Sequence, residues 1–167
     1  MYEGAGIDLY SLRAVMLNVA NIPVSSFLDV GDELFFGADH KTRYAQGAVA
    51  ETAAHLTLHQ GILQSVPLDL IERVLDGWEP EPAVIDRIHV FDAPEFFCVV
   101  AKVRQSENIR EGHDRLRLLP HIDCFAEHTP HITLAYVKRS ADISQWTAAL
   151  APLAGQSFEV TGRFSSL

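Results

Sequence analysis

The tetrad His55-Leu56-Thr57-Leu58 returns in the second half of the chain as His131-Ile132-Thr133-Leu134. An imidazole titrates near neutral pH, so it can take a proton in one step and give one in another. A threonine hydroxyl can donate a hydrogen bond to an anionic oxygen. Two such pairs supply a base, an acid and two donors. That set could move a proton on each side of a reacting centre while the charge between them is held in place.

Random placement of the eight His and seven Thr of this chain would give roughly a third of one His-x-Thr. Two copies, each with aliphatic residues at the second and fourth positions, exceed that expectation. Both tetrads read as β-strand, where successive side chains alternate between faces. His55 and Thr57 therefore share one face and Leu56 and Leu58 the other; His131, Thr133, Ile132 and Leu134 repeat the arrangement. Each strand offers an imidazole and a hydroxyl to one side and an aliphatic anchor to the core. His59 has the parity of His55 and Thr57 and is expected beside them, an exposed strand end being its other reading. His40 and Arg43 sit in a polar stretch shortly before the first tetrad and are candidates for contact with substrate.

Other elements must hold these strands. Residues 13–20 read as a first strand stopped at Asn21-Ile22-Pro23. Glycines break the stretch 24–54, whose last residues, from Tyr44, are compatible with a short helix. The first motif strand covers about 55–63. A helix opens at Pro67, with Leu68, Ile71, Val74 and Leu75 at helical spacing, and closes near Gly77. Strands over 84–91 and 96–104 form a hairpin around Asp92-Ala93-Pro94. Ser106 and Asn108 offer cap chemistry for a helix over about 107–119, ended by Pro120. The second motif strand covers about 131–137, a helix capped within Ser140-Ala141-Asp142 runs to about Leu153, and a strand over 157–164 closes the chain. Motif strand, polar turn, helix and further strand thus recur twice. The fold class expected is α+β: two pseudo-symmetric lobes of antiparallel sheet, with outer helices, around a central cleft in one domain spanning 1–167.

Composition bounds the partners. The chain has 167 residues, 48% hydrophobic and 21% charged, enough for a sizeable core and not the composition of a disordered chain. Its apolar runs, such as Phe96 to Ala101, are too short to cross a bilayer, and its first residues lack signal-peptide order, so a cytoplasmic protein without membrane association is expected. Cys98 and Cys124 lack metal-ligand spacing and read as free thiols. The net charge is −9. Long nucleic-acid backbones call for a basic stripe, so any nucleotide partner is expected to be small. Arg104, Arg110, Arg115 and Arg117, or Lys138 and Arg139, could serve a few phosphates, although solvated element ends explain most of them.

With its doubled His-x-Thr-x tetrad and its strand and helix order from about residue 13 onward, the chain resembles the 2H phosphoesterases, the group of 2′-5′ RNA ligase-like proteins and cyclic nucleotide phosphodiesterases. The likeness is weakest over residues 24–54. After the second tetrad Ala135-Tyr136-Val137 follows the family pattern; after the first, His59-Gln60-Gly61 departs from it. The resemblance implies a cleft between pseudo-symmetric lobes and phosphodiester chemistry at or beside a ribose hydroxyl, without metal or other cofactor. His55 and His131 would carry protons, and Thr57 and Thr133 would bind non-bridging oxygens. Substrates in the group include 2′,3′-cyclic phosphates, 2′-5′ linked oligonucleotides, RNA ends and cyclic oligonucleotides. The sequence does not say which histidine is base and which acid.

Two other readings remain at this level. A nucleotide-binding module could keep the cleft and perform no chemistry. A His-ligated metal hydrolase could use His55 with His59, or His121, His128 and His131, although the His-Glu-x-x-His pattern of zinc hydrolases is absent.

Overall fold

The computed structural model describes residues 12–22, 54–94 and 96–165. His40, Arg43 and the short helix expected before the first motif lie outside the described residues. The elements in chain order are β1 (Arg13–Val19), β2 (His55–Ile62), α1 (Leu68–Val74), β3 (Ala83–Asp92), β4 (Phe96–Val103), α2 (Glu107–Leu116), β5 (His131–Lys138), α3 (Ile143–Leu150) with a 3-10 turn at Ala151–Leu153, β6 (Ser157–Phe158) and β7 (Val160–Ser165). The strands form one antiparallel seven-stranded sheet in the order β6-β3-β4-β5-β2-β1-β7. The α+β class expected from sequence is therefore the class observed.

The two motif strands lie side by side at the middle of this sheet. They meet through one registered pair, Leu56 with Ile132. Beyond it they separate, and the far end of β2 pairs instead with the segment after α2, through Ile62 and His121 and the bond from Ile122 N to Gly61 O at 2.8 Å. That pairing also explains why α2 stops at Leu116, short of Pro120: residues 117–120 turn the chain back toward β2. The close approach requires glycine at 61, where φ is +124° and a Cβ would overlap the Ile122 carbonyl oxygen.

One face of the sheet carries the main core. Leu56, Leu58, Ile132 and Leu134 from the tetrads are buried there with Val15, Leu17, Val99 and Ile85, under Ile71 of α1, Ile109 and Leu116 of α2 and Trp146 and Leu150 of α3. Each such aliphatic side chain stabilises the fold by about 1.5–3 kcal/mol. Local chemistry fixes the helices: the Ser106 hydroxyl accepts from Ile109 N and the Asp142 carboxylate from Ser144 N, each at 3.1 Å. Asn108 does not cap its own helix; it ties α2 to the loop between α1 and β3 through Glu79 O and Glu81 N. Among the described residues no helix covers the opposite face, where a small separate cluster forms around Phe96, Cys98 and Val100 with Phe91 and Tyr136. Cys98 and Cys124 are free thiols.

Candidate functional site

The pair Leu56–Ile132 acts as a local pseudo-twofold centre. Antiparallel pairing about it sets His55 opposite Thr133 and Thr57 opposite His131, all four on the open face and all four partly exposed. The expected alternation thus holds through all four positions of both tetrads, and the structure brings His55, Thr57, His131 and Thr133 together.

At the fourth position both strands bulge. Met16 pairs with Thr57 but its neighbour Val15 pairs with His59, so β2 has one extra residue at Leu58. Val100 pairs with Thr133 but Val99 pairs with Ala135, so β5 has its extra residue at Leu134. A bulge of this kind inverts the parity of the residues after it. Leu58 and His59 both turn to the core face, as do Leu134 and Ala135. The expectation that His59 lines the cleft is therefore corrected: it is 4% exposed beneath the sheet, and its pseudo-symmetric counterpart is an alanine. For the same reason His55 and His59 point away from each other and do not form a ligand pair. Among the described residues no three His, Cys, Asp or Glu side chains are grouped to hold a metal ion.

His59 belongs to a cluster of imidazoles under the first motif strand. Its ring centroid lies 4.9 Å from that of His113 on α2 and 5.6 Å from that of His121. His113 Nδ1 donates to Leu58 O at 2.8 Å, and His128 Nε2 donates to Thr57 O at 3.1 Å. These two bonds hold the backbone carbonyls on either side of the bulge. Burial, with His113 and His121 adding to it, pushes His59 down to about 3. Burial, followed by the adjacent His113, pushes His128 down to about 4, against the hydrogen bond to Thr57 that raises it. Both rings are thus neutral near pH 7.

On the open face His131 Nδ1 donates to Thr129 O at 2.9 Å, which leaves the Nε2 lone pair free to accept a proton. Burial lowers the proton affinity of His131, and His55 and Lys102 lower it further, while the bond to Thr129 opposes them. Each motif histidine stands at the edge of a phenylalanine: Phe91 with His131 at 5.3 Å and Phe164 with His55 at 6.3 Å between centroids. Sequence reading missed both phenylalanines. Alternation in Arg87-Ile88-His89-Val90-Phe91 was the available signal for the first.

Most of the basic residues that could have served phosphates are used locally. Arg115 pairs with Glu111 and donates to Asp76 O, Arg117 pairs with Asp123, and Arg139 pairs with Asp92 and lies over the Phe97 ring. Arg110 lies exposed on α2 and Arg104 just beyond the end of β4. Among the described residues no helix is long and apolar enough to cross a membrane.

A family model, that of the 2'-5' RNA ligase superfamily, matches residues 33–165 of this chain. No curated protein matches it.

Proposed function

The chain belongs to the 2'-5' RNA ligase superfamily, and from that membership we propose that it is a metal-independent phosphodiesterase acting on a small nucleotide or short oligonucleotide with a 2′,3′-cyclic, 2′-5′ or cyclic linkage. The observation that carries this reading is the pairing of both His-x-Thr tetrads about Leu56 and Ile132 on one open face. The family supports 2H phosphoesterase-type activity in general; the linkage and the direction of reaction are this proposal's own.

With a cyclic phosphate as substrate, His131 Nε2 removes a proton from water as the water oxygen bonds to phosphorus, and His55 gives a proton to the ribose oxygen as its bond to phosphorus breaks. The product is a phosphomonoester and a free ribose hydroxyl. The base role falls to His131 because its Nδ1 hydrogen is held by Thr129 O and its proton affinity is lowered; the acid role then falls to His55. The hydroxyls of Thr57 and Thr133 donate to the non-bridging oxygens, where negative charge is held through the transition state. Burial of Leu56 and Ile132 anchors both strands beneath that charge.

The test is a chromatographic product screen across 2′,3′-cyclic mononucleotides, 2′-5′ oligoadenylates and cyclic oligonucleotides, with chelator present throughout. Turnover of one class that is lost in both His55→Ala and His131→Ala supports the proposal. Turnover that vanishes with chelator and returns with zinc overturns its metal-independent form, and nucleotide binding with no turnover overturns catalysis in favour of a binding module.

A further inference from the structure

The open face is electrically lopsided. On the β4 side of the motif pair, Lys102 stands directly across from His131, Arg87 pairs across from Lys102 on β3, and His89 lies two residues on with the same parity. On the β1 side, Asn18 stands across from His55 and Met16 across from Thr57, with Gly162 and Phe164 beyond them on β7. A basic stripe thus runs from His131 outward in one direction and has no counterpart among the described residues in the other.

The stripe is placed for an anion. Lys102 is partly buried on an otherwise apolar strand, Phe96-Phe97-Cys98-Val99-Val100-Ala101, and among the described residues it has no carboxylate within ion-pair distance. The ion pair of Arg87 is with exposed Asp86 on its own strand. Lys102 makes His131 a weaker proton acceptor, and it acts on His89 in the same sense, after burial as the larger cause. The two threonines already serve the reacting phosphate, which leaves Lys102 for another group. It sits one strand spacing from His131, about 5 Å, and Arg87 and His89 sit two away, about 10 Å; that range lies within the span of a single nucleoside.

We propose that Lys102, with Arg87 and His89, forms a subsite for a second phosphate of the substrate, so that the ligand carries one phosphate between the motif histidines and another over β3 and β4. This rests on the phosphodiesterase reading and deepens it: the substrate class becomes nucleotides phosphorylated at both ends of a nucleoside, or oligonucleotides in which the next linkage supplies that phosphate. Lys102 is the principal charge, and Arg87 and His89 contribute donors at its outer side.

Equilibrium binding tests it without turnover. Isothermal titration of the full chain would compare adenosine 2′-monophosphate with adenosine 2′,5′-bisphosphate, and adenosine 3′-monophosphate with the 3′,5′-bisphosphate. A charge-assisted contact of this kind predicts at least about tenfold tighter binding of a bisphosphate than its monophosphate at low salt. That advantage should be largely lost in Lys102→Gln and kept in Lys102→Arg. A bisphosphate that binds no tighter, an advantage unchanged in Lys102→Gln, or no binding by any of the four compounds overturns the subsite. The two ideas fail separately: cyclic phosphates hydrolysed with no bisphosphate advantage would leave catalysis standing without the subsite. A Lys102-dependent advantage with no turnover of any phosphodiester would leave the subsite standing without catalysis.

Discussion

The imidazoles of His113 and His128 lie face to face, 4.1 Å apart and 3° from parallel. One ring comes from α2 and the other from the segment leading into β5, yet both donate to adjacent carbonyls of β2, at Leu58 and Thr57. The stack therefore joins three parts of the chain at the bulge that turns His59 away from the open face.

Two stacked imidazoles cannot both carry charge cheaply, and this implies an acid-side loss of stability. His59 and His128 have folded values of about 3 and about 4, below the ordinary 6.5 that they regain on unfolding. Above pH 6.5 both states are neutral and stability is at its full value. As pH falls from 6.5 toward about 4 the unfolded chain takes up protons that the folded chain refuses, so the unfolding free energy declines. Each pH unit of depression corresponds to about 1.4 kcal/mol, so the His128 site alone contributes a loss on the order of 3 kcal/mol across that window. Urea midpoints at pH 7, 5.5 and 4.5 measure it. His128→Gln, which keeps a donor for Thr57 O and removes the titrating ring, should show a shallower decline; an identical decline in wild type and variant would refute the assignment.

Replacing either motif histidine by alanine is expected to lower kcat by about 10²–10⁴-fold. Both side chains lie on the open face, so urea midpoints should stay close to wild type. Equal kcat in variant and wild type would rule out the proton-transfer role of the residue replaced.

Thr57→Val and Thr133→Val remove one donor each while keeping the branched shape suited to a strand. If the hydroxyls act on charge in the transition state, kcat should fall by about 10²-fold or more with little change in KM. A rise in KM at constant kcat would show that they bind the ground state and the transition state equally and contribute nothing to the chemical step.

Gly61→Ala should destabilise the fold strongly. Its φ of +124° is a region used almost exclusively by glycine, at about 1–3 kcal/mol for other residues. The new Cβ would also overlap the Ile122 carbonyl oxygen, which the backbone must move to relieve. Thermal denaturation would show a clear drop in Tm, and an unchanged Tm would mean that β2 and residues 120–122 do not pack in solution as described.

Local pattern made most of the elements legible from sequence. Period-two alternation and flanking prolines located β2, β4 and β5 to within a residue or two, and Ser106 and Asp142 marked the starts of α2 and α3. The four tetrad residues were legible because one side chain in two reports a face. His59 was not, because a bulge is a relation between two strands and leaves no mark in the strand that carries it. Lys102 was equally hidden: it is a single charge in an apolar run, and its meaning depends on His131, which register alone places opposite. The break at Glu159 between β6 and β7 is a consequence of pairing as well, since β6 joins β3 at one edge of the sheet and β7 joins β1 at the other.

The matched bulges at Leu58 and Leu134 work like a frameshift written into each motif strand. Before the shift the histidine and threonine of each tetrad face the open side, and at it Leu58 with His59 and Leu134 with Ala135 face the core, so the two sets can change in sequence independently. At the same strand position one copy holds His59 and the other Ala135, and both remain inside. Deleting Leu58 would remove the extra residue and make the pairing with β1 continuous, and His59 would then follow Thr57 directly and still face the core, alone at the step that two residues now share.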